Sequence, residues 1–233
     1  MKNFRIEALI IALGLLALGL CASYGIRSVA DRNRTVSVRG LAEREVPADR
    51  VIWPLVYKTV GNNISSINAD INQANAKIKR FLLDNGVNES EITVDAPEVT
   101  DRWANQYNNN RAIERYDATS IITVTSNHVD EMRALMLRTG ELLEQGIAIA
   151  PNDYSAQIEY TFTGLNDIKP EMIQEATKNA RAAAEKFAQD SDSKLGKIKQ
   201  ATQGLFSITD RDPNTPFIKN VRVVTSVDYL LED

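Results

Sequence analysis

Few residues in this chain have the type and spacing needed for chemistry. His128 is the only histidine among 233 residues. A Ser-His-Asp relay needs a nucleophile and an orienting carboxylate within reach of the imidazole. His128 stands at a helix start beside Asp130 with no motif supplying those partners, so it reads as an exposed helix-start residue. One histidine also excludes a multi-histidine metal centre. Asp95, Glu98 and Asp101 recur at every third position and could gather on a divalent cation. No calcium-loop spacing surrounds them, and a charged edge that discourages strand pairing is the simpler reading. Glu43 and Glu45 fall on one strand face, as an acid–base pair would, or simply make that face polar. Gly40 lacks an accompanying glycine-rich loop and reads as a strand bulge rather than a phosphate turn.

The remaining motifs are weaker. Asn63-Ile64-Ser65 and Asn88-Glu89-Ser90 fit the glycosylation pattern, which matters only in a eukaryotic secretory setting. Trp53 and Trp103 read as core or interface anchors. There is no Walker loop, dinucleotide fingerprint, nucleophile elbow or HExxH. No catalytic, cofactor-binding or metal residue is therefore assigned, no cofactor is expected, and the chain reads as non-enzymatic.

The composition, 43% hydrophobic and 25% charged, suits a folded globular body. A net charge of −4 leaves no basic footprint for nucleic acid, which is not an expected partner. Cys21, the only cysteine, lies in the N-terminal apolar run, so the body has no disulfide and no thiolate ligand.

That run, residues 8–26, holds 19 uncharged residues behind Lys2 and Arg5. As a helix it would roughly cover a ~30 Å hydrocarbon core. Residues 1–34 are accordingly expected to be a membrane anchor or export signal with its linker. Retention as a transmembrane signal-anchor is the favoured reading. Cleavage near Cys21-Ala22-Ser23 and lipid attachment at Cys21 are the alternatives. With retention, the body would be periplasmic and single-pass in the inner membrane; with cleavage, simply periplasmic.

In 35–233 the pattern alternates strand pairs with helices. Residues 35–46 and 51–60 predict two strands joined by the turn-like Pro47-Ala48-Asp49 as a hairpin, with Pro54 suggesting an edge or bulge. A helix over 65–83 carries Ile64, Ile67, Ile71, Ile78, Phe81 and Leu82 and ends at Gly86. Strands at 91–103 and 112–126 flank the polar loop 105–110. A second helix is expected from a capping Asn127 to Gly146, burying Val129, Met132, Leu135, Met136, Leu142 and Leu143. Strands at 147–150 and 155–163 follow. A third helix, 170–189, opens at Pro170 with a small-residue face of Ile173, Ala176, Ala180, Ala183, Ala184, Phe187 and Ala188. Strands at 197–209 and 217–230 close the chain. The expectation is α+β: an N-terminal transmembrane helix, then ββα-ββα-ββα-ββ in one domain.

Three stretches together resemble the SIMPL-domain family of bacterial envelope proteins. They are Val36-Ser37-Val38-Arg39-Gly40 leading through Glu43 to Val46-Pro47-Ala48-Asp49; Tyr116-Asp117-Ala118-Thr119-Ser120; and Ala180-Arg181, Ala184-Glu185 and Ala188 followed by Leu195-Gly196-Lys197. The resemblance covers about 35–230. It implies an envelope location, an α+β fold, homo-oligomeric assembly and, for some members, a link to oxidative-stress tolerance. It carries no catalytic residues. Relatives often place glycine after the third helix, where this chain has Asp190-Ser191-Asp192-Ser193.

The functional expectation is a membrane-anchored, self-associating scaffold or interaction domain tied to oxidative or envelope stress. The alternative is a periplasmic module binding a peptide, lipid or small hydrophobic ligand, with Trp53 or Trp103 lining its pocket.

Overall fold

The computed structural model describes residues 4–31, 34–104, 113–150 and 156–232. The elements run α1 (Phe4–Asp31), β1 (Thr35–Pro47), β2 (Arg50–Gly61), α2 (Ile64–Asp84), β3 (Ile92–Val94), β4 (Glu98–Asp101), β5 (Tyr116–Ser126), α3 (Val129–Met136), α4 (Gly140–Glu144), β6 (Glu159–Thr161), α5 (Leu165–Asp190), β7 (Lys194–Gln203), β8 (Ser207–Asp210) and β9 (Ile218–Glu232). The α+β class holds. The residues divide into two compact units: Met1–Arg44, Asn166–Ile208 and Val221–Asp233 in one, Glu45–Leu165 and Thr209–Asn220 in the other.

The expected transmembrane helix is overturned. Residues Phe4–Asp31 form a single helix, but no helix among the described residues is long and apolar enough to cross a membrane.

In the second unit, α2 covers a sheet ordered β3-β5-β2-β6, with β4 also on β5. The β2–β5 register sets Val51 opposite Ser126, Trp53 opposite Val124 and Leu55 opposite Ile122. All six lie on one buried face, and Ala74, Ile78, Phe81 and Leu82 of α2 fill the core above it. The stripe of α2 matches its periodicity except at Ile64, which is exposed. Asn63 caps the helix by accepting from Ser65 N and Ser66 N, and Gly86 ends it at φ +88°. Pro54 lies between the β6 pairing, which stops at Ile52, and the bridge of Tyr57 to Ile149. Its missing N–H therefore breaks no ladder.

Several local expectations change. β1 and β2 make no hairpin, because they belong to different sheets. Within the second unit, Asp49 instead accepts from Thr163 N, Thr163 Oγ1 and Gly164 N. Those bonds settle the loop before α5, which begins at Leu165, so Pro170 falls inside the helix rather than at its first turn. The second helix is broken into α3 and α4. Thr139 Oγ1 donates to Met136 O at 2.9 Å, and the intervening backbone tightens to three-residue turns, as with Arg138 N to Leu135 O. His128, not Asn127, is the N-cap of α3, and Leu143 points outward. The expected strand at 147–150 is reduced to the Ile149 bridge and the bond from Ala150 N to Val56 O. The expected loop 105–110 lies outside the described residues.

The first unit holds a sheet ordered β1-β9-β7, with β8 also paired to β9. Here α5 buries Met172, Ala176, Ala180, Ala184 and Ala188, a strict four-residue row. Such a row is a single straight ridge, and alanine keeps it low. Ile173 and Ala183 are only partly covered and Phe187 is 60% exposed, so the buried face is narrower than the sequence suggests. Gly40 of β1 receives the ridge. A Cβ there would stand 1.8 Å from Ala176 O and 2.4 Å from Ala180 N. Gly40 therefore marks a close approach of strand and helix backbones, not a bulge. Asn179 Nδ2 adds a bond to Leu41 O at 2.8 Å.

Asp192 resolves how α5 ends without glycine. It adopts φ 52°, while Ser193 N returns to Ala188 O at 2.9 Å and Ser191 N to Phe187 O at 3.2 Å. Aspartate tolerates this left-handed cap at a cost that glycine would not bear. Asp192→Gly is expected to raise stability by about 0.5–1 kcal/mol in urea denaturation. Gly40→Ala is expected to lower it by about 3 kcal/mol or more, since backbone must move. Equal stability of the alanine variant would refute the close approach.

Candidate functional site

The turn at Asp192 launches β7, a long and largely exposed strand of its sheet. It pairs on one side only, with β9: Leu195 to Leu231, Ile198 to Tyr229, and Gln200–Gln203 to Asp228–Thr225, with register shifts on either side of Ile198. Those partners in β9 alternate between the core and the surface, whereas no residue of β7 is fully buried. Ile198 is 52% exposed and Leu205, just past the strand, 95%. No strand lies on the outer edge of β7 among the described residues. An open row of N–H and C=O groups is a template for another strand. Lys194, Lys197 and Lys199 charge its first half. Gln200-Ala201-Thr202-Gln203 leaves the second half uncharged and exposed on both faces.

The chemistry-bearing residues fall into separate, locally satisfied groups. His128 does gain a carboxylate and a hydroxyl that its sequence neighbourhood does not advertise. Its Nδ1 lies 3.5 Å from Ser126 Oγ and 3.9 Å from Glu91 Oε1. A relay would place carboxylate and nucleophile on opposite ring nitrogens; here both meet the same one. Ser126 is buried, and its Oγ also accepts from His128 N at 3.1 Å. Burial pushes the Glu91 carboxyl upward, but bonds from Ser126 and Asn88, with the nearby His128, bring it below the usual range. The group thus joins the Asn88 turn to the start of α3. Glu91 sits 37 residues from His128 in sequence, and only the β3–β5 pairing reveals the contact.

Asp95, Glu98 and Asp101 do not converge, and no metal-holding acidic or histidine cluster occurs among the described residues. Asp101 accepts from Arg115 Nε and Nη2 at 3.0 and 2.7 Å and from Trp103 N at 3.0 Å. The Arg115 guanidinium in turn lies over the Trp103 and Tyr116 rings. Glu43 pairs with Arg222 and Glu45 with Arg211, so neither is an isolated acid. Trp53 is core. Asn63 and Asn88, the two glycosylation-pattern residues, are both helix-start caps.

The family model for SIMPL, described as a protein of unknown function (DUF541), matches residues 36–226. The chain belongs to the SIMPL family. No curated protein matches it. The SIMPL match takes in Gly40, the α5 ridge, the whole of β7 and the His128 and Asp101 groups, whereas α1 lies outside it.

Hydrogen bonding by Arg115 foremost, opposed by burial and aided by the Trp103 amide, holds the Asp101 carboxyl below its ordinary value of 3.8. A depressed folded value adds stability above the unfolded value, and this stability is lost as pH falls through the folded value. Asp101→Asn should therefore flatten the fall of melting temperature below about pH 4. Acid limbs that run parallel for both proteins would show that the pair contributes nothing.

Proposed function

We propose that this SIMPL protein is a non-enzymatic interaction domain that self-associates through the outer edge of β7. The observation that carries the reading is that strand: ten residues long, paired on one side and without a buried side chain. Main-chain bonding to a second copy would supply affinity, while the lysines of the first half would bias the contact toward Gln200–Gln203. Charged edges resist open-ended stacking, so a bounded assembly fits better than a filament. An envelope setting and a part in oxidative or envelope stress tolerance are supported by the family resemblance alone.

Light scattering behind size exclusion on the full chain tests this reading. Replacing Gln200 and Thr202, both exposed, by lysine extends the charged guard without touching the core. The wild type is expected to run as a defined multimer and the double variant at a lower mass. A mass unchanged by the substitutions, or a monomeric wild type, would reject the edge as the contact.

A further inference from the structure

A second surface, independent of β7, has the makings of a ligand site. In the second unit, a cleft of about 620 Å³ opens between α3, the start of β6 and the segment before β9. Its walls are Met136, Leu137, Ile158, Tyr160, Pro216 and Phe217. Leu137 is 88% exposed and Ile158 42%, so these two walls face solvent, whereas Tyr160 belongs to the core with Met136 and Phe217 packed against it. The volume falls within the range of small-molecule pockets.

Two polar groups converge on this lining. Arg133 places its guanidinium 3.4 Å from the Phe217 ring centroid, which fixes the position of the charge. Tyr160 is 9% exposed and stands edge-on to Phe217 at 6.2 Å. Its hydroxyl donates to Met136 Sδ at 3.7 Å, a thioether and therefore a weak acceptor. Burial raises the Tyr160 phenol and the neighbouring Arg133 opposes that shift; the neutral hydroxyl remains a donor. The one anion in the lining, Asp130, meets Arg133 at 3.3 Å with its own side chain 95% exposed. Such an exposed pair holds weakly and yields to a better-placed acceptor.

From this juxtaposition we infer that the cleft binds a small monocarboxylate with an apolar body. The carboxylate accepts from the Arg133 guanidinium and the Tyr160 hydroxyl, displacing Asp130. The aliphatic or aromatic body lies along Leu137, Ile158 and Pro216. The charge selects an acid over the corresponding alcohol, and the apolar wall selects it over acetate. A free fatty acid and the C-terminus of an apolar peptide share this chemistry.

Calorimetric titration of the full chain with octanoate, octanol, acetate and a short leucine-ended peptide as free acid or amide tests the inference. Octanoate or the peptide acid is expected to bind saturably at one site, at least tenfold tighter than octanol, acetate or the peptide amide. Tighter octanoate would point to a free acid as the natural ligand, and tighter peptide to a protein terminus. Arg133→Met should weaken acid binding tenfold or more, and Tyr160→Phe about threefold. Leu137→Glu changes an exposed residue that the fold does not need, and should weaken acid binding without altering the far-ultraviolet dichroism. Octanol binding as well as octanoate, or acid binding indifferent to Arg133→Met and Leu137→Glu, would overturn the assignment.

Discussion

The first unit depends on one close approach, the backbone of β1 against the backbone of α5 at Gly40. Any side chain there would meet Ala176 O and Ala180 N well inside contact distance. The helix can sit so low only because every fourth residue from Ala176 to Ala188 is alanine. This shallow seat leaves a small hydrophobic cluster of Val38, Ala180, Ala184, Val227 and Tyr229. A thin core of this kind gains little from transfer of apolar surface, so it relies on contact density and on fixed backbone positions. The Asp192 cap then turns the chain into β7, whose partner β9 supplies the buried residues that β7 lacks.

The second unit is built by the opposite means. Its sheet face is filled by large side chains, Trp53, Leu55 and Ile122, and by Ile78, Phe81 and Leu82 of α2. Three polar connections are made within it: Asp49 ties down the Thr163–Gly164 loop, Asp101 holds Arg115, and Glu91 ties the start of α3. Of the acidic residues that look chemically suggestive in sequence, Asp101 holds Arg115 and the Trp103 turn, while Glu43 and Glu45 pair with Arg222 and Arg211.

Elements with strong periodicity were legible from sequence. The stripe of α2, the long strands β2, β5 and β9, and the turns at Gly86 and Gly146 follow from spacing and from glycine chemistry. What escaped was set by long-range contact. The partner of β1 is β9, more than 170 residues on, and a turn-like Pro47-Ala48-Asp49 favours the nearer strand β2 on local grounds alone. Gly40 looks like a bulge until the helix that covers it is known. Pro170 suggests a helix start because its preference for the first turn is strong, yet the preceding loop, held by Asp49, begins the helix earlier. The apolar run 8–26 is conspicuous by hydropathy, but no helix among the described residues is long and apolar enough to cross a membrane. The cleft walled by Tyr160 and Phe217 joins residues from three separated segments, and neither tryptophan singled out in the sequence lines it.

A SIMPL fold of this design combines closed faces with one open strand edge. The α5 ridge and the α2-covered sheet are closed, while β7 keeps one side of its backbone open. Hydrogen exchange of the full chain, followed by mass spectrometry as protein concentration rises, locates any contact directly. Peptides from Lys194–Gln203 should gain protection as assemblies form, most strongly over Gln200–Gln203. Assembly that leaves those amides exchanging unchanged, with protection appearing only elsewhere, would contradict recognition through the β7 edge.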